Sequence, residues 1–167
     1  MPEPPRDFFE TYVKPAYHAW EADPSTPWIA KAATTGLHDM AEHVFRYWDK
    51  RDQSKVHSAG SANEYRHQLV AKDCDDYALV RDVAEGHKHV ELGRKSRRVT
   101  RSSQTKEETR GGFFPPNYFP PPFFARGYWG PKPRLVITLD GGNKRDLGPI
   151  LENVFKMWEN LLKSMSL

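Results

Sequence analysis

The chain has 167 residues, of which 38% are hydrophobic and 28% charged, and a formal net charge of +3. That balance is too apolar for a disordered chain and too polar for a membrane protein, and the length suits one domain with a buried core. No segment reaches the roughly 18 apolar residues of a membrane span, and Met-Pro-Glu-Pro-Pro-Arg-Asp is not an export signal, so a cytoplasmic location is expected. The single cysteine, Cys74, has no partner for a disulfide or a zinc site, which fits a reducing compartment.

After the proline-rich start, Phe9, Tyr12, Val13, Ala16 and Trp20 recur at helical spacing, and Pro15 is expected to kink this helix or split it. Ser25-Thr26-Pro27 reads as a capped helix start. The apolar series Ile29, Ala33, Leu37, Met40, Val44 and Trp48 then carries a helix of some six turns. Residues 49 to 60 read as a loop, and 62 to 72 as a short helix with Tyr65 and Leu69 inward. The next helix, capped by Asp73 or Asp75, runs to about Glu91.

Beyond it the period changes from helix to strand. Arg97 to Ser102 alternates like a strand, and Arg134 to Leu139 is a β-branched run closed by Asp140-Gly141-Gly142, so the two are expected to pair. Between them, Gly111 to Pro133 holds seven of the fourteen prolines and eight of the 21 aromatic residues, which excludes regular helix or a central strand. A last helix, with Asp146 as its cap, carries Ile150, Leu151, Val154, Met157, Trp158, Leu161 and Met165 on one face. The expected architecture is a single mainly α domain over 1–167. It is a bundle of four or five helices with a two-stranded antiparallel β-hairpin over 93–140 and a proline and aromatic insert over 111–133.

Charge is unevenly spread. Between Gly86 and Arg110 stand eight basic residues (Lys88, Arg94, Lys95, Arg97, Arg98, Arg101, Lys106, Arg110) against three glutamates. Such a run can neutralise phosphates, or it can be the solvated face of a guarded edge strand. On the preceding helix, Val80, Ala84 and His87 share one face, Arg81 borders it, and Asp82, Glu85 and His89 take the opposite, wetter one. His87 is then either a buried structural imidazole or a desolvated acid/base beside an arginine that can hold phosphate.

Arg81-Asp82 followed by His87 resembles the signature of the HEPN superfamily of helical-bundle RNases, in which an Arg and a polar residue precede a His by four to six positions. The resemblance covers at most residues 26 to 92. It implies metal-independent RNA cleavage at a dimer interface, often in defence or toxin systems. On this chain it makes His87 the general acid/base, Arg81 the phosphate ligand and Asp82 the residue that orients one of them, with Lys88, Arg94, Lys95, Arg97, Arg98 and Arg101 guiding RNA. Arg51-Asp52-Gln53-Ser54-Lys55-Val56-His57 repeats the same residue types at the same spacing in a loop.

A metal site is not expected, because His38 and His43 are five apart and His87 and His89 two apart, and neither spacing puts both ligands on one helix face. No cofactor is expected. The alternative to an RNase is a non-catalytic interaction or assembly module built on the insert. There Phe119-Pro120-Pro121-Pro122-Phe123 resembles the start of proline-rich ligands of SH3-like domains, and Phe119, Phe123, Phe124 and Trp129 would anchor a protein partner or a second copy. RNA, a protein partner and a homodimer are the associations these readings imply.

Overall fold

The computed structural model describes residues 3–86, 98–110 and 132–165. Their order is α1 (Pro5–Phe8), a π-helical segment (Phe9–Val13), α2 (Lys14–Ala22), α3 (Pro27–Trp48), α4 (Ala62–Lys72), α5 (Tyr77–Gly86), β1 (Thr105–Arg110), β2 (Lys132–Thr138), β3 (Lys144–Asp146) and α6 (Leu147–Ser164). The mainly α expectation holds, with a small antiparallel sheet beside the bundle. No helix among the described residues is long and apolar enough to cross a membrane.

Pro15 neither breaks nor splits the first helical run. The turn before it widens instead: the Lys14 N–H reaches back to the Phe9 carbonyl, and α-helix resumes at once. A π segment absorbs the carbonyl that a proline cannot serve, and Phe9, Val13, Tyr17 and Trp20 all stay on the buried side. Pro27 opens α3 as expected, but Thr26 does not cap it. Its hydroxyl, like that of Ser25, donates to the Asp23 carboxylate, and these bonds hold Asp23 below the usual carboxylate range. At α4 the cap is a side chain: Ser61 Oγ accepts from the Glu64 N–H at 3.1 Å, and the Glu64 carboxylate accepts from the Gly60 N–H at 2.9 Å.

Helix α3 is the hub, lying against α2, α4, α5 and α6. Ala33, Leu37, Met40 and Val44 are buried along it, as the spacing predicts. Trp158 of α6 is 0% exposed and donates its indole N–H to the Leu37 carbonyl at 2.9 Å. Tyr77, at the start of α5, meets that indole edge-on at 6.1 Å and donates its hydroxyl to the His38 carbonyl at 3.2 Å. Three helices thus converge on one aromatic pair.

The sheet departs from the expected hairpin in two ways. It has three strands in the order β1-β2-β3, and its first strand begins at Thr105, later than the alternation of Arg97 to Ser102 suggested. The described part of that stretch cannot join a ladder because other groups take its backbone. Asp82 accepts from the Arg98 N–H, Asp140 N–H donates to the Arg98 carbonyl, and Gln104 Oε1 accepts from the N–H of Thr100 and Arg101. In register, Thr105 faces Ile137 and Arg110 faces Lys132, which is the last described pair of the hairpin. Leu135 and Ile137 point into the core, while Val136 lies on the other face beneath a Lys144–Glu108 ion pair. Asp146 precedes α6 but makes no side-chain cap; its carboxylate accepts from Arg134 instead.

Replacing Trp158 by alanine removes the largest fully buried side chain among the described residues and should cost about 3–5 kcal/mol. Trp158→Phe keeps most of the apolar volume and should cost less than half as much. Urea unfolding curves with a shared slope would separate the two.

Candidate functional site

Helix α5 is buried on nearly every side, because α3, α4 and α6 flank it and the Arg98 segment lies against it. Its polar residues must therefore find partners inside the protein. Arg81 is 5% exposed and Asp82 0% exposed, so the wetter face expected for Asp82 is not there. A helical wheel assumes one covered face, and this helix is covered on both.

Asp82 Oδ1 accepts from Arg81 Nε at 3.1 Å and from Nη2 at 3.0 Å. Its other oxygen accepts from the Arg98 backbone N–H at 2.7 Å. Arg81 Nη1 lies 3.5 Å from Nδ1 of His67, an exposed residue of α4, and a bond there requires the tautomer in which Nδ1 carries no proton. The guanidinium thus runs from the sealed carboxylate towards His67 on α4.

Two neighbouring carboxylates extend the system. Asp75 takes the Arg98 guanidinium on both oxygens, at 2.7 and 2.8 Å, and this pairing holds its carboxyl below the usual range. Asp76, nearly buried, accepts from Arg145 of β3 at 2.9 Å and from Asn153 of α6 at 2.8 Å. Asp75, Asp76 and Asp82 therefore fasten α5 to the chain entering the sheet, to the last strand and to the last helix.

Of the residues singled out from the sequence, Arg81 and Asp82 come together as a buried ion pair, and Arg98 joins them through its backbone and through Asp75. Arg101 is exposed, with its N–H held by Gln104 at 2.7 Å. His87, Lys88, Arg94, Lys95, Arg97, Phe119, Phe123, Phe124 and Trp129 lie outside the described residues. The repeat of the motif in the loop has local duties. Asp52 accepts from the Ser54 N–H, Arg51 sits 4.1 Å over the Tyr47 ring, and His57, in the left-handed region at φ 55°, binds Asp73 through Nε2 at 2.7 Å.

His38 is buried and stacked beside Tyr77, whereas His43 stacks on Phe8 with ring centres 3.7 Å apart. Among the described residues, no three metal-ligating side chains gather. Sequence reasoning missed the role of Gln104, whose Nε2 donates to the Thr138 carbonyl and to Asp140, both at 2.8 Å. That side chain joins the segment before β1 to the end of β2 across an open polar cleft lined by Arg101, Lys106 and Lys144. A glutamine just ahead of a strand carried no motif that would have flagged it. No protein-family model, curated protein or solved structure matches the chain.

Asp82→Ala strands the Arg81 guanidinium and the Arg98 N–H and should lower stability by about 3–5 kcal/mol. Asp75→Asn, at a half-exposed pair, should stay within about 1 kcal/mol. Because Asp75 holds its charge to lower pH when folded, its contribution is complete above the unfolded value of about 4 and is lost as pH falls through the folded one. The stability gap between wild type and Asp75→Asn should accordingly narrow as pH drops below about 4, and a gap that widens there would contradict this account.

Proposed function

We propose that the chain is a non-catalytic interaction and assembly module in which Arg81 and Asp82 serve the fold, and in which the insert between β1 and β2 engages a second copy. The observation that carries this reading is the burial of the motif's charges. A scissile phosphate needs the donor fork of Arg81, and that fork is turned onto Asp82, whose remaining oxygen is itself taken by Arg98. An arginine 5% exposed and matched in charge is built for cohesion.

The assembly half of the proposal draws support from the sheet. Direct pairing of Arg110 with Lys132 sets the two residues that flank 111–131 side by side in the hairpin. The segment supplies eight aromatic residues and no acidic one. A side-chain set of that kind favours burial against a partner over exposure to water.

RNA cleavage is the second reading. It keeps support from the helical setting of Arg81 and Asp82 and from the approach of Arg81 Nη1 to exposed His67. One pair of experiments decides. Labelled single-stranded and structured RNA incubated in EDTA with wild type, His87→Ala and His57→Ala should remain intact throughout. In sedimentation velocity, the full chain should run as a dimer, and a variant with residues 112–130 replaced by a short Gly-Ser turn should run as a folded monomer. Cleavage lost only in folded His87→Ala would replace this reading with the RNase, and an unchanged sedimentation coefficient would remove the role of the insert.

A further inference from the structure

Away from α5, a cavity of about 190 Å³ opens where the end of α2 meets β2 and the start of α6. Trp20, Pro24, Leu147 and Pro149 give it flat or aliphatic walls, and Arg134 and Asp146 form its polar edge. Gly148 adds no side chain, and a Cβ there would sit 3.7 Å from Cζ2 and Cη2 of the Trp20 ring. Pockets for drug-sized ligands start at roughly 300 Å³, so this one suits a single side-chain ring.

Position along the chain narrows the choice of occupant. Arg134, at the edge of the cavity, follows Lys132 by two positions on β2, and Lys132 with its register partner Arg110 flanks residues 111–131. In a two-fold dimer the contact of one group with its seat is repeated in reverse, so each copy must carry group and seat on one patch. The cavity and the flank of the insert meet that condition on a single strand.

The polar edge narrows it further. Trp129, the one tryptophan of the insert, stands three positions before Lys132. An indole is the largest side-chain ring and offers one N–H donor and no acceptor. The Asp146 side chain keeps 18% of its surface exposed, and a carboxylate has room for several donors. The Arg134 side chain is 54% exposed and reaches Asp146 through one contact of 3.3 Å, so its guanidinium can also lie over a ring face. A carboxylate beside an arginine is a poor seat for an anion and a good one for an indole.

We propose that this cavity receives the insert of a second copy of the chain, with the Trp129 ring of each copy seated in the other. The ring would lie against Trp20, Pro24 and Pro149, its N–H would donate to Asp146, and Arg134 would cover its outer face. This inference rests on the assembly reading above and adds to it the surface that takes the insert.

Sedimentation velocity of full-length variants tests it. Trp129→Ala, and Gly148→Leu, which fills the cavity, should each weaken dimerisation about thirtyfold, the loss expected of an interface hot spot. Trapping gives a readout that does not depend on a filled cavity. With Cys74→Ser as background, Tyr128→Cys combined with Pro149→Cys should oxidise to a covalent dimer, with the 128–149 bridge identified by peptide mass. A 128–149 bridge confined to monomers would place the ring in its own chain and overturn the proposal. A dimer that is lost when residues 112–130 are replaced by the Gly-Ser turn, yet kept in folded Gly148→Leu and in Trp129→Ala, would overturn it while leaving the assembly reading in place. A wild-type chain that sediments as a monomer would remove both.

Discussion

A carboxylate cut off from water must find all its partners within the protein, and Asp82 finds them in two stretches of chain that the sequence keeps apart. One oxygen holds the Arg81 guanidinium on its own helix and the other holds the Arg98 N–H. From this follows the course of the chain into the sheet. With its N–H fixed on α5, Arg98 offers its carbonyl to Asp140, and its guanidinium closes on Asp75. The chain from 98 to 104 becomes a connector laid over the bundle, and the ladder begins only at Thr105. Asp76 then joins α5 to β3 and α6 through Arg145 and Asn153. Ion pairs of this kind contribute less to stability than their Coulomb energy suggests, because desolvation offsets much of it. Their value here is positional: they decide where a small sheet sits on a helical core.

The helices were legible because apolar spacing is a local signal. Leu37, Met40 and Val44 on α3, and Ile150, Leu151, Val154 and Trp158 on α6, fall where a 3.6-residue period puts them. The first strand was misplaced because alternation of residue types does not show whether a backbone N–H is already engaged. The third strand, Lys144-Arg145-Asp146, holds no β-branched or aromatic residue and exists because it pairs with β2 across the turn at Asp140-Gly141-Gly142. That turn was visible; the strand returning from it was not. Ser61 and Glu64 did carry a readable signal, a serine followed three positions later by a glutamate ahead of an apolar run.

The candidate site was legible in its residues and not in their environment. Arg81 and Asp82 are adjacent, so their meeting needed no tertiary information, yet their burial depends on α3, α4 and residue 98 closing over them. A sequence pattern names which atoms are present. Whether an arginine fork is open to phosphate or closed on a carboxylate is decided by packing that no spacing rule contains.

The widened turn at Phe9–Val13 carries a consequence for how the chain length can drift. A π segment holds one residue more than an α-helical turn needs for the same angular advance, so a residue lost within it can be absorbed by a return to α geometry, with Pro5–Phe8 and Lys14–Ala22 keeping their faces. The same deletion in the middle of α3 would rotate everything beyond it by about 100° and carry Leu37, Met40 and Val44 out of register with the helices that cover them. Single-residue insertions and deletions among related chains should therefore collect in the N-terminal helical run and be scarce in α3, a pattern set by helical geometry before any function is considered.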